Sequence, residues 1–270
     1  MLESFLRIIV KKTEIVVPSN YYKDKIIRLY DLESNKVFVY PSGGINTKLF
    51  CPKRESTGNT FVLGYVSYFV ESKGWRIFLD TIYNILSKNS IYNIEVIMIG
   101  DGADKNKIID YLGSLKLKSQ IYSNINQNEL AVKYNEFDLF VFPTYREAES
   151  LGLVGLEAMA CGIPIVAGEV GGPIGYVKEG VNGYLFKKKD IQDLENKIML
   201  YYTLSLEEKE KMKIKLLQKV LNSRILRLTS LLALMVELVS MMGLNLSFTQ
   251  KAWQMRYLRS QLLTISEKLV

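Results

Sequence analysis

Residues 146–186 read REAESLGLVGLEAMACGIPIVAGEVGGPIGYVKEGVNGYLF, and no other stretch limits the fold so closely. Glu149 and Glu157 bracket the apolar segment SLGLVGL. An unpaired carboxylate next to buried apolar chain is costly, so both need partners. A ligand rich in hydroxyls would supply them. A helix of small residues follows, then a turn at Cys161-Gly162. A short strand over Ile163–Ala167 leads into a glycine-rich turn from Gly168 to Gly172.

Strands alternate with helices from Val62 to Phe142 and again from Leu153 to Phe186. Short β-branched and aromatic runs predict strands over 14–17, 37–40, 61–68, 94–99, 120–122, 138–142 and 184–186. Helices are expected over 20–31, 75–86, 104–112, 127–135, 190–201 and 205–220. Ser19 is a candidate N-cap for the first of them, and S-L-E-E from Ser205 has the capping-box pattern. Alternation of this kind predicts an α/β fold with a parallel sheet and helices on both faces. Ligands of such sheets bind outside the carboxyl ends of the strands. Lys73, Gly100 and Glu149 each follow the end of a predicted strand, which points to one cleft.

The central stretch resembles the donor-binding signature of retaining glycosyltransferases with the GT-B fold, the large group often called family 4. That signature is E-x7-E, then E-A-M-A-C/S-G-x-P-V-V, then G-G. Here it stands as Glu149, Glu157, Ala158, Met159, Ala160, Cys161, Gly162, Pro164, Gly171 and Gly172. The family's interdomain loop, P-N-G-V-D-x-x-x-F-x-P, is matched by Pro41, Ser42, Gly43, Gly44, Ile45, Asn46, Phe50 and Pro52. Its G-R-L-x-x-x-K-G element is matched at Lys73 and Gly74, but the arginine's place holds Tyr68.

The resemblance implies a Rossmann-like donor domain and hexosyl transfer from a UDP- or GDP-sugar to a saccharide or lipid-linked acceptor, with retention. Surface polysaccharide or glycolipid synthesis is the expected setting. Catalytic roles fall to Lys73, facing the diphosphate, and Glu149, which binds the donor sugar. Glu157 would accept from the ribose hydroxyls. Backbone amides of Leu151, Gly152 and Leu153 would line the donor, Gly44 would let backbone approach its phosphate, and Tyr68 would stand at the arginine's place. The base would sit near Tyr122, Ser123 and Asn124. No cofactor and no metal are implied, because a lysine and a helix N-terminus replace a cation. A phenol cannot supply the charge or the donor fork of a guanidinium, so Tyr68 weakens that half of the expected site.

Because the match begins close to Met1, the resemblance implies that nearly the whole N-terminal domain is lacking. The expected organisation is a remnant and linker over 1–52, a donor-binding domain over 53–212 and a helical tail over 213–270. A truncated, non-catalytic nucleotide-sugar-binding protein that completes a partner chain is the alternative. A broken gene is a third reading. Composition adds exclusions. The 270 residues contain no histidine, which removes the usual general base and zinc ligand. Cys51 and Cys161 give neither a disulfide framework nor metal-ligand spacing. The first residues are too charged for a signal peptide, so a cytoplasmic setting is expected. The net charge of +7 fits an anionic substrate or the inner membrane face; no nucleic-acid partner is expected. After Lys213 the chain is poor in acidic residues. Three readings stay open there: packed amphipathic helices, a recombined tail, or a membrane-surface helix with Arg224, Arg227 and Lys251 on its polar side.

Overall fold

A computed structural model describes residues 9–39, 45–53, 60–88, 90–91 and 93–222. The runs FVLGYV, IEVIMI, LFVF and IVAG are apolar on both faces, the pattern of strands covered from both sides. They form the middle of a six-stranded sheet whose pairings are all parallel. In chain order the elements are β1 (Ile15–Val17), α1 (Asn20–Tyr30), β2 (Val37–Val39), β3 (Phe61–Val66), α2 (Trp75–Ser87), β4 (Ile94–Ile99) and α3 (Lys105–Leu115). Then come β5 (Lys118–Tyr122), α4 (Gln127–Tyr134), β6 (Leu139–Phe142), α5 (Leu153–Ala160), β7 (Ile165–Gly168), β8 (Gly183–Phe186), α6 (Ile191–Tyr202) and α7 (Leu206–Asn222).

The sheet order is β5-β4-β3-β6-β7-β8. The chain builds outward from β3 to β5, returns to pair β6 with β3, then builds outward on the other side. The order therefore reverses between β3 and β6. Ligands of open parallel sheets bind beside the strand ends at such a switch point. Period-two alternation divides the sheet's side chains. Leu63, Tyr65, Val96 and Met98 pack with α2, α3 and α6. Val66, Ile97, Ile99 and Phe140 pack with α4 and α5. Ile45 and Phe50, from the segment expected as linker, join this second cluster. Asn135 fixes that segment, accepting from Lys53 N at 2.7 Å and donating to Cys51 O at 3.1 Å.

Residues 15–39 form a small two-stranded sheet of their own, a parallel pair of β1 and β2 linked by α1 around Val17, Leu32 and Val37. Ser19 caps α1 as expected, accepting from Tyr22 N.

Several element ends differ from the sequence expectation. β3 is regular as far as Val66, not Tyr68; beyond it the Phe69 ring turns into the core and Tyr68 is left on a loop. β7 starts at Ile165 because Ile163 N still closes the turn after α5, donating to Ala158 O, and Pro164 has no N–H to donate. α3 runs through Gly113 to Leu115. The expected tail helix over 231–242 lies outside the described residues, and no described helix is long and apolar enough to cross a membrane.

Candidate active site

The loop after β3 follows the ladder briefly. Ser67 N donates to Ile99 O at 3.0 Å and Phe69 N to Asp101 O at 2.7 Å. A 3₁₀ turn over Glu71–Lys73 then ends at Gly74, whose φ is 78°. The loop after β6 is stitched to that turn: Tyr145 N donates to Ser72 O at 3.2 Å. Thr144, fully buried, sits with its hydroxyl 3.5 Å from the same carbonyl and 3.4 Å from Glu149 Oε2. The stitching brings the ammonium of Lys73 to 2.5 Å from Glu149 Oε2. Only 15% of the lysine side chain and 11% of the glutamate remain exposed, so the pair is sheltered and weakly screened by salt.

Glu149 is held by its backbone as well. Its N–H donates to Arg146 O at 2.9 Å, and its carbonyl accepts from Gly172 N at 3.0 Å. Gly171 makes that approach feasible: its φ is 57°, and a Cβ there would lie 2.3 Å from the Glu149 carbonyl oxygen. Beyond Glu149, Leu151 is buried, Gly152 occupies the N-cap position of α5, and Leu153 opens the helix half-exposed. The first turn of any helix leaves N–H groups without partners inside it, a place suited to anions.

Glu157 lies on α5, away from the Lys73 contact. The buried Tyr134 of α4 donates to Glu157 Oε2 and is also 3.0 Å from Val154 O. Burial pushes the Glu157 carboxyl above the usual carboxylate range, opposed by the Tyr134 hydrogen bond. Burial, with the neighbouring carboxylate, also drives the Tyr134 phenol up, so it stays a donor. This arrangement gives a prediction. Ribose hydroxyls would donate to the ionised carboxylate and favour it. The affinity of a nucleotide held here through its ribose would be full above the raised pKa and fall as pH drops through it, at higher pH than an ordinary glutamate at ~4.3 would give. Calorimetric titration across the acid range should show that step in wild type and a flat profile in Glu157→Gln, which should bind ~10-fold more weakly at neutral pH.

Of the residues expected from sequence, Lys73 and Glu149 are brought into contact. Glu157 and Leu151–Leu153 lie on the element that continues from Glu149. Tyr68 is on the β3 loop, 61% exposed. Gly44 and Gly43 lie outside the described residues. At the expected base position, Ser123 donates to Gly100 O at 2.7 Å, Asn124 has a φ of 55°, and Lys133 donates to the Tyr122 hydroxyl at 2.8 Å. Thr144 and Tyr134 carry contacts that the sequence did not single out. Neither sits in a patterned motif, and Tyr134 is 23 residues from the glutamate it touches. Among the described residues no group of three or more His, Cys, Asp or Glu is placed to hold a metal.

Residues 48–216 match the model of the family described as "Glycosyl transferases group 1". The chain belongs to the glycosyl transferases group 1 family. It is similar to the capsular polysaccharide biosynthesis glycosyltransferase CapM of Staphylococcus aureus, 31% identical over 207 residues, covering 69% of this chain and 51% of that protein. It is also similar to a GDP-mannose-dependent alpha-mannosyltransferase of Corynebacterium glutamicum, 29% identical over 177 residues, with 62% and 40% covered. The chain thus spans about half or less of these curated relatives' lengths. Among solved structures, a glycosyltransferase from Rickettsia africae superposes with a TM-score of 0.71 at 19% identity, covering 84% of this chain and 63% of that one. HepE of Anabaena, solved with UDP and glucose, superposes with a TM-score of 0.67 at 18% identity, covering 83% and 63%. At such identities the likeness establishes the fold, that of GT-B glycosyltransferases in group 1.

Proposed function

We propose that this chain binds a nucleotide-sugar donor at the β3/β6 crevice and serves hexosyl transfer, with retention, to a saccharide or lipid-linked acceptor. The observation that carries the reading is the sheltered Lys73–Glu149 pair at the switch point, continuous through Leu151 and Gly152 with the α5 N-terminus. Departure of a nucleoside diphosphate builds negative charge, and fixed cations and backbone dipoles stabilise it best where water is excluded. Lys73 would exchange its carboxylate partner for the diphosphate. Glu149, an acceptor-only group, would then be released to bind two sugar hydroxyls. Glu157 would hold the ribose. The names of similar proteins support a role in surface polysaccharide or related glycan synthesis: CapM in capsular polysaccharide, and a mannosyltransferase using GDP-mannose. HepE, solved with UDP and glucose, supports a UDP-linked donor equally.

The direct test is calorimetric titration with UDP, GDP, UDP-glucose and GDP-mannose. We expect binding of one nucleotide series, unchanged by EDTA. Loss of binding in EDTA with recovery in manganese would overturn the metal-free assignment. No binding of any nucleotide would overturn the whole reading. Tyr68 supplies a second expectation. Tyr68→Arg should tighten a nucleoside diphosphate by ~5-fold, a low figure for so exposed a position, and the bare nucleoside hardly at all. Equal changes for the two ligands would show that Tyr68 does not face the phosphates.

A further inference from the structure

The loop that carries Glu149 is also gripped from an element more than a hundred residues earlier. The Tyr22 hydroxyl of α1 lies 2.8 Å from Glu147 O and 2.9 Å from Glu149 O. One hydroxyl proton can be shared between two such carbonyls. Lys25, one turn further along the same face of α1, only approaches Glu147 Oε2 at 3.5 Å and adds nothing to the grip, because Lys188 already holds the other oxygen of that exposed carboxylate at 2.6 Å. The helix also lies against the Gly172–Gly175 turn, whose first N–H donates to Glu149 O. Two independent donors, Gly172 N–H and Tyr22 O–H, therefore converge on the single carbonyl of the residue whose side chain pairs with Lys73.

We propose that α1 braces the donor loop and that Tyr22 is a positioning residue for Glu149, an inference that rests on the transferase reading of the crevice. The hydroxyl fixes the backbone of residues 147–149, and the carboxylate of Glu149 follows its backbone. A carboxylate that must leave Lys73 and meet two sugar hydroxyls needs its main chain held while its side chain moves. The nucleotide part of the donor would not feel the brace, because Glu157, in the second turn of α5, has its own support from Tyr134 of α4. The brace thus acts on the sugar end of the donor.

The test uses the full chain with Tyr22→Phe, which keeps the ring and deletes only the donor. Lys25→Met is the comparison, because it removes a half-exposed ion pair from the same face. Without ligand, hydrogen exchange of the Gly172 amide should be about five-fold faster in Tyr22→Phe than in wild type, the effect of one lost hydrogen bond. With ligand, affinity for the nucleoside diphosphate should be unchanged, while the extra affinity for the nucleotide sugar should fall about five-fold. Lys25→Met should match wild type in both readouts. Unchanged loop exchange in Tyr22→Phe, an equal loss for both ligands, or the same behaviour in Lys25→Met would each overturn the assignment. A wild-type chain that binds no nucleotide sugar would sink the transferase reading instead, whereas the exchange result reports on the brace alone.

Discussion

Lys73→Met should lower the proposed transfer by ~10²–10³-fold, the usual loss when one charge-stabilising group is taken from a transition state. The same substitution should also destabilise the protein with no ligand present. It leaves the Glu149 carboxylate, 11% exposed, with only the Thr144 hydroxyl, among the described residues, near Oε2 at 3.4 Å. Breaking a buried pair from one side costs ~3–5 kcal/mol, and the residual exposure brings the expectation here down to about 2–3 kcal/mol. Glu149→Gln should cost less, because a lysine stem can carry its ammonium towards water and a side-chain amide keeps its hydrogen bonds. The double variant, Lys73→Met with Glu149→Gln, contains no orphaned charge. It should recover part of the stability lost by Lys73→Met while remaining inactive. A double-mutant cycle by urea denaturation should give a coupling of ~1 kcal/mol or more. Additive losses would mean that the two groups do not interact in solution, and the sheltered pair would no longer support the proposed exchange of partners.

Much of this was legible before any coordinates. Alternation of buried strands with helices predicted the parallel sheet, since a strand apolar on both faces must be covered on both. The E-x7-E string placed Glu149 before a helix and Glu157 within it, which is how α5 is built. What the sequence could not give were contacts set by topology alone. Lys73 and Glu149 are 76 residues apart and meet because the sheet order reverses between β3 and β6. No local pattern encodes that meeting. Glu157 was expected to await a ligand's hydroxyls, yet Tyr134 already donates to it, an arrangement fixed by how α4 packs on α5. Tyr68 was read as the last residue of a strand. The regular strand ends at Val66, although Ser67 N and Phe69 N still reach Ile99 O and Asp101 O; the Phe69 ring is buried and Tyr68 is left exposed on the loop between them. Turn chemistry fared better: Ser19 and Ser205 cap their helices because a hydroxyl satisfies an otherwise unpartnered N–H wherever the helix sits.

Gly74→Ala should be among the most damaging small changes in the chain, and Gly113→Ala should be mildly beneficial. The contrast follows from what a methyl group meets. At Gly74 a Cβ would lie 1.9 Å from Pro143 O and 2.6 Å from Pro143 C, both backbone atoms, and φ is +78°. The left-handed conformation alone costs an L-residue ~1–2 kcal/mol. Relieving the clash requires the Lys73 turn to move away from the end of β6, which breaks the contacts of Ser72 O with Tyr145 and Thr144. A total of ~3 kcal/mol is expected, and at ~2–4 °C per kcal/mol for a domain of this size Tm should fall by ~6–12 °C. At Gly113, inside α3, a Cβ meets nothing within 4 Å. Alanine there should gain ~0.5–1 kcal/mol by restricting the unfolded chain and favouring the helix. The proposed transfer activity separates the two effects of Gly74→Ala. Well below its Tm the variant is folded, so any remaining loss reports a displaced Lys73, and a shift of ~1 Å can cost ~10²-fold. A Gly74→Ala protein that melts with wild type would show that the β3 and β6 loops are not pressed together, and the contact between Lys73 and Glu149 would lose its structural cause.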